Sequence, residues 1–395
     1  METRGVIMGH EVSRKVKILV ATGARADYGH LRPLFKLLLD TPAFEPTLLV
    51  TGSHTLPQFG ASLDEIRNDR FPIATIMPLQ HSDDTPSGIA SAMSVILSAA
   101  PNALTAAGAG ALIVYGDRWE MLALSIAATL SGIPLVHIGG GDTTEGAYDE
   151  VFRHSITKMG HLHFPTSEGA RRRILQLGED PACVFNVGSL AVDALQSVET
   201  LPRSEFSKVT GYHFCSKNLL ITFHPETVGS SSNKDTEEFL GALSDVSSDY
   251  GMLVTLPGLD TGTIFIHQAF QEFVAGRPNA MISSSLGHRN YISALSLFDV
   301  LVGNSSSGIY EAPSLGIRTV NIGNRQRGRE CAASIQSVAC ERNEIATAID
   351  SALQGGRVTV ENPYGNGDSA AQIRDILLDW LPSERSLRKP FFYIP

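Results

Sequence analysis

Carboxylates, arginines and histidines gather just after two apolar runs. Asp117 and Arg118 follow Ala111–Tyr115, while Asp142, Asp149, Glu150, Arg153 and His154 follow Ile133–Ile138. Carboxylates beside arginines at the ends of buried strands suit proton transfer on a ligand whose negative charge the guanidinium forks can hold. If a helix begins near Gly146, i,i+4 spacing pairs Asp149 with Arg153 and Glu150 with His154. The plainer alternative is an ordinary helix start, with acids at the positive end of the dipole and bases one turn later. Asp117 likewise reads as an N-cap between strand and helix, a role that does not exclude catalysis.

A second grouping, in the second half of the chain, suits an anion. Gly303-Asn304-Ser305-Ser306-Ser307-Gly308 lies between a strand and a helix start, and offers several N–H groups and three hydroxyls where one cap needs one serine. Glu311, one turn into that helix, is placed to accept from ribose hydroxyls or simply to complement the dipole. Arg325, Arg327 and Arg329 alternate in the loop after Thr319–Ile322, and His224 follows the strand Asn218–Phe223 in His224-Pro225-Glu226-Thr227. Near the start, Thr22–Gly29 carries Arg25 and Asp27; a lone loop arginine is usually solvated, so Arg25 needs partners to count. His54 reads as a structural histidine.

These loops need strands and helices behind them. Lys17–Ala21, Thr47–Val50, Ala111–Tyr115, Ile133–Ile138, His161–Pro165 and Cys183–Val187 read as strands. His30–Leu39, Gly88–Ala107, Met121–Leu130, Ser167–Leu177 and Ala191–Val198 read as helices between them. The alternation breaks over 201–217, taken as a junction, and restarts at Asn218. It continues through Met252–Thr255, Asn279–Ile282, Asp299–Val302 and Thr319–Ile322. Alternation of this kind predicts parallel sheets covered by helices, with ligands at the carboxyl ends of the strands. The expected units are a loose extension 1–15, a first domain 16–200, a second domain 218–368, and a terminal helix and tail 369–395 packing back across the junction. Val228–Lys234 reads as a mobile loop at the cleft.

Composition narrows the class. The 395 residues carry a net charge of −10, 43% hydrophobic and 18% charged residues. That balance describes a soluble globular protein and argues against broad binding to nucleic acid or anionic membrane. Four scattered cysteines without a CxxC pair indicate neither a disulfide framework nor a zinc ribbon, so a reduced, cytoplasmic setting is the simplest reading. Met1–Arg14 lacks the apolar core of a secretory signal, and no other run reads as long enough to span a bilayer. There is no GxGxxG fingerprint and no metal-ligand spacing, so neither a dinucleotide cofactor nor a metal is expected.

Taken in order, Thr22–Gly29, Gly116-Asp117-Arg118, Tyr148–Lys158, Phe223–Thr227, Asp260-Thr261-Gly262 and Gly303–Gly308 resemble the hydrolysing UDP-N-acetylglucosamine 2-epimerases of bacterial sialic-acid pathways. The resemblance implies a GT-B-like α/β fold, two doubly wound Rossmann-like domains around a central cleft. It implies no cofactor, a UDP-sugar substrate and commonly a homodimer. By the same resemblance Asp117 and Asp149 are the acid/base candidates, with Asp142, Glu150 and His224 in reserve. Arg25, Asp27, Arg118, Arg153 and His154 would face the sugar or diphosphate. Ser305, Ser306, Ser307, Gly308, Arg325 and Arg327 would hold the diphosphate and Glu311 the ribose.

The chain departs from the family at Gly139. Many relatives carry an acid after the His-Ile pair and others a histidine. Asp142, Glu145, Glu150, His137 or water would have to take over, or the space admits a bulkier sugar substituent. A hydrolysing epimerase of a 2,4-diacetamido-trideoxy sugar nucleotide is the nearest rival. A GT-B glycosyltransferase and a non-catalytic UDP-sugar-binding protein are the readings from other classes.

Overall fold

The structure, a computed structural model, describes residues 15–56, 62–79, 85–144, 148–225, 232–257, 263–284, 286–381 and 387–393. Its first half runs β1 (Val16–Thr22), α1 (Arg25–Leu39), β2 (Phe44–Val50), α2 (Ser62–Asn68), β3 (Ile73–Ile76), α3 (Pro86–Ala107), β4 (Ala111–Tyr115), α4 (Trp119–Leu130) and β5 (Leu135–Ile138). It continues with α5 (Asp149–Met159), β6 (Leu162–Phe164), α6 (Glu168–Gln176) and α7 (Leu190–Gln196). The strands are short apolar runs because helices cover both faces of their sheet, leaving no face for water. Ile18 and Val20 point into one helical layer with Leu31, Leu34 and Phe35. Leu19 and Ala21 point into the other, with Ile96, Leu104 and Leu124.

The second half runs α8 (Arg203–Thr210), β7 (Asn218–Thr222), α9 (Ser232–Asp245), β8 (Gly251–Thr255), α10 (Thr263–Ala275), β9 (Ala280–Ser283), α11 (His288–Leu297), β10 (Val300–Gly303) and α12 (Ser307–Tyr310). It ends with β11 (Arg318–Ile322), β12 (Ile335–Val338), α13 (Arg342–Gly355) and α14 (Ser369–Trp380). Both sheets have six strands, ordered β3-β2-β1-β4-β5-β6 and β12-β11-β10-β7-β8-β9. Every pairing is parallel. The order reverses between β1 and β4 and between β7 and β10. Those two switch points open crevices at the strands' carboxyl ends, and the two crevices face each other across the cleft.

Helix α14 returns to the first sheet. Ala370, Ile373 and Leu377 join the layer of Leu31 and Phe35. Asp193 of α7 accepts from the amides of Ser369 and Ala370 at 3.1 and 2.7 Å, satisfying donors that a helix start leaves open.

Several expectations need correction. Cys183–Val187 makes only one bridge, from Val184 to His163, and is not a strand. The junction 201–217 contains α8, which starts after Pro202, ends at left-handed Gly211 and buries Phe206 with Phe298. β3 and β12 escape sequence reading because both are half-buried edge strands without a continuous apolar run. Helix α3 has 22 residues and contains an 18-residue stretch with a mean hydropathy of 1.4, enough by length and composition to cross a membrane, against the expectation that no such run exists. Its Ile89, Ala92, Ile96, Ala100 and Leu104 form one stripe in the first core. The N-terminal extension 1–14, most of the 228–234 loop, Asp260-Thr261-Gly262 and Glu145 lie outside the described residues.

Candidate active site

The floor of the first crevice is built from the ends of β1, β4 and β5. β4 delivers Asp117, and the first turns of α5 deliver Asp149, Glu150 and Arg153. Asp117 is not the N-cap of α4; that position is Arg118, and α4 has no side-chain cap. Asp117 instead accepts from Nη2 of the fully buried Arg153. The same guanidinium donates to Glu150 at 2.8 Å, to the Thr144 hydroxyl at 2.8 Å and to the Asp142 carbonyl at 2.9 Å.

Burial alone would raise the Asp117 carboxyl. The Arg153 charge, then that of Arg329, and the Arg153 hydrogen bond outweigh it and hold Asp117 below the ordinary carboxylate range. Asp117 is therefore an anion at neutral pH, suited to accept a proton or to face positive charge. Glu150 is similarly tied: burial opposes its charge, but hydrogen bonds from His154 and the Thr144 amide, with the Arg153 charge, bring it down to about 2. Its i,i+4 partner His154 sits 3.1 Å away, as the spacing predicts. Asp149, the first residue of α5, is half-buried.

Beside this floor lies a second acid group. Glu120, fully buried on the first turn of α4, pairs with Arg118 at 3.1 Å, and burial pushes it up to about 7 despite that pair. Asp27, on the first turn of α1, is pushed up to about 6, by burial and by Asp117, against the lowering charges of Arg118 and His30. Arg25 opens α1, earlier than the predicted start at His30, and faces Glu65 and Tyr291. Such perturbed carboxyls in a crevice mark proton-transfer candidates.

The second crevice supplies the opposite wall. Asn304 clamps the His224 backbone with both ends of its amide: His224 N–H donates to Oδ1 at 2.7 Å, and Nδ2 donates to the His224 carbonyl at 2.9 Å. Burial, with the charges of Arg325 and Arg118, drives the His224 ring well below its ordinary value, so it is neutral. Ser305 and Ser306 are half-buried, while Ser307 and Gly308 are buried; the Ser307 amide donates to Ser305 Oγ at 3.3 Å. The Ser307 hydroxyl is buried without a partner among the described residues. Because α12 is a single turn, an anion placed here would meet local N–H and O–H groups rather than a macrodipole.

Contacts across the cleft bring the walls together. Glu311 meets His30 Nε2 at 3.0 Å, and His30 Nδ1 meets the Tyr115 hydroxyl at 3.1 Å. Tyr310 donates to Asp142, which also takes the Thr166 hydroxyl at 3.1 Å. Within the second wall, Arg325 donates to the Asn304 carbonyl at 3.2 Å. Arg327 is exposed, with its carbonyl taking Thr143 Oγ1 at 3.2 Å, whereas Arg329 lies 5.1 Å from the Tyr310 ring centre. Asp142 is thus a strut between the halves, and the Arg329 charge reaches Asp142 and Asp117.

His137 does not replace the acid missing at Gly139. Its Nε2 meets the Gly116 carbonyl at 2.9 Å and its Nδ1 meets Thr157 Oγ1 at 3.1 Å, and burial lowers it to about 3. Gly139 has φ +81°, a conformation most side chains resist. A Cβ there would meet nothing closer than the Gly116 amide nitrogen at 3.6 Å, and Gly116 has open space beside it. His54 is structural, bonded to Thr22 at 2.8 Å and Ser62 at 3.0 Å. Sequence reading missed Glu120, His30, Asn304 and Tyr310. Two of them left a signal: Glu120, a carboxylate two residues from Arg118, and Asn304, inside the serine loop.

Comparison with known proteins bears on the family and the fold. The family model described as UDP-N-acetylglucosamine 2-epimerase matches residues 36–378. The polysialic acid biosynthesis protein P7 of Escherichia coli is 34% identical over 96% of this chain and 98% of its own. A hydrolysing UDP-N,N'-diacetylbacillosamine 2-epimerase of Legionella pneumophila is 32% identical over 91% of this chain and 95% of its own. Among solved structures, the Neisseria meningitidis UDP-GlcNAc 2-epimerase bound to UDP-GlcNAc superposes with a TM-score of 0.78 at 18% identity, covering 92% of this chain and all of that one. The chain is an epimerase, and belongs to the UDP-N-acetylglucosamine 2-epimerase family.

Proposed function

We propose that the protein is a hydrolysing 2-epimerase that converts UDP-N-acetylglucosamine and water to N-acetylmannosamine and UDP, for sialic-acid-type sugar synthesis. The observation that carries the reading is the Asp117–Arg153 pair at one switch point, facing the serine loop and His224 at the other. The proton on sugar C2 is weakly acidic, so its loss must accompany departure of UDP from C1. A carboxylate takes that proton, the C2–H electron pair forms the C1=C2 bond of a 2-acetamidoglucal, and UDP leaves with the C1–O pair. Water then adds its oxygen to C1 and C2 is reprotonated from the opposite face. Asp117 and Asp149 are the carboxylates nearest this chemistry. Ser305, Ser306, Ser307 and Gly308, with Arg325 and His224, hold the diphosphate; donors aimed at a leaving group stabilise its growing charge. Glu311 exchanges His30 for the ribose, and Arg25 and Arg118 face the diphosphate or sugar.

A second substrate has an observation in its favour. The open floor over Gly139 and Gly116 leaves room for a substituent on the sugar, and the Legionella relative is named for a diacetamido sugar nucleotide. Parallel kcat/KM measurements with UDP-N-acetylglucosamine and UDP-2,4-diacetamido-2,4,6-trideoxyglucose decide between them. Preference for the first supports the primary reading; preference for the second replaces it.

A further inference from the structure

Inversion at C2 needs two proton carriers, one on each face of the ring, and the topology offers a pair. Asp27 follows β1 and Asp149 follows β5, while Asp117 follows β4, the strand between them in the sheet. Asp27 and Asp149 therefore flank Asp117 from its two sides.

The other carboxylates of the crevice are committed. Asp117 and Glu150 are held by Arg153, Asp142 by Tyr310 and Thr166, Glu120 by Arg118, and Glu311 by His30. Asp27 differs from these. It is more than nine-tenths buried, and its Oδ2 has no partner among the described residues. The groups facing it are Arg118, His30, Asp117 and Glu120, with the Gly23 amide turned to its carboxyl. A buried oxygen left unpaired is costly unless a ligand fills the vacancy. His30, one turn further along α1, bridges to Glu311 of the opposite wall, so a substrate that parts those two uncovers Asp27.

We propose that Asp27 is the acid that returns a proton to C2, taking the place of the carboxyl that Gly139 lacks. This rests on the hydrolysing-epimerase reading. In the second half-reaction the Asp27 carboxylic acid gives its proton to C2 as water oxygen bonds to C1, and the C1=C2 electron pair forms the new C2–H bond. The water's surplus proton passes to the Asp27 carboxylate and restores the acid. The proton taken in the first half-reaction leaves to solvent, so the sum is sugar nucleotide plus water to free sugar, UDP and one proton.

The test is Asp27→Asn, assayed in D₂O with UDP-N-acetylglucosamine or the diacetamido analogue, whichever the wild type turns over faster. The variant should still release UDP but accumulate the 2-acetamidoglucal, with the C2-deuterated epimer falling by about 100-fold or more. Its affinity for UDP should stay within about threefold of wild type, and Asp27→Glu should recover part of the epimer yield. Epimer formation within about threefold of wild type would overturn the assignment, being far less than loss of an acid costs. So would a fall in UDP release that matches the fall in epimer, or equal losses in Asn and Glu. A wild type that forms no free epimer would sink the hydrolysing reading itself, whatever Asp27→Asn does.

Discussion

Arg153 on α5 and Asp117 at the end of β4 form an ion pair in which the arginine is fully buried and the carboxylate still reaches the cleft. Its remaining donors go to Glu150, Thr144 and the Asp142 carbonyl, so one guanidinium holds four groups in register.

Arg153→Lys keeps the charge but loses the fork. Folding stability should fall by about 1–3 kcal/mol, the cost of leaving buried acceptors unpaired. Asp117 is held low by this pair, so its carboxyl should rise. The acid limb of the kcat profile then moves to higher pH, and more activity is lost at pH 6 than at pH 8. An acid limb that stays in place contradicts the pairing.

Glu120 makes a prediction about stability. Its carboxyl is raised from 4.5 to about 7 on folding. A raised carboxyl binds its proton more tightly in the native state, so its contribution is complete below the unfolded value and disappears as pH climbs through about 7. The shift corresponds to about 3 kcal/mol. Glu120→Gln mimics the protonated form, and should raise the melting temperature relative to wild type at pH 8 and change it little at pH 5. Equal changes at both pH values would contradict the assignment.

Asn304→Ala removes both hydrogen bonds that fix the His224 backbone. The expected loss is about 1–2 kcal/mol of UDP binding, or roughly tenfold in Kd by calorimetry. Unchanged affinity would separate His224 from the diphosphate.

Tyr310→Phe removes the donor that spans the cleft to Asp142 and leaves the Thr166 hydroxyl as that carboxylate's hydrogen-bond donor among the described residues. Stability should fall by about 1–3 kcal/mol, lowering the melting temperature by several degrees, with a larger radius of gyration in small-angle scattering. No change in either would contradict the strut.

The loops at the switch points are legible in the sequence because strands buried on both faces are short apolar runs, and the loop after each run must lie at the ligand end. Asp117, Asp149, His224 and the serines are found that way. His30 is not legible: read as the first residue of a helix that in fact starts at Arg25, it has no sequence neighbour pointing to Glu311, 281 residues away. The contact between Tyr310 and Asp142 is hidden for the same reason, since it exists only once the two sheets meet. Gly29 shows how close that meeting is, for a Cβ there would come within 2.7 Å of His288 on α11. Asp117 misleads in the opposite sense. Its place between strand and helix is that of a cap, but Arg153 offers it a charged partner and the helix begins one residue later than a cap at Asp117 requires.

Hydrolytic inversion at C2 is the claim on which the rest stands, and one measurement meets it directly. Purified protein is incubated with UDP-N-acetylglucosamine in D₂O and followed by NMR. Free N-acetylmannosamine carrying deuterium at C2, appearing together with UDP, is the predicted result. UDP-N-acetylmannosamine as the sole product, or free sugar that retains its original C2 hydrogen, would contradict it.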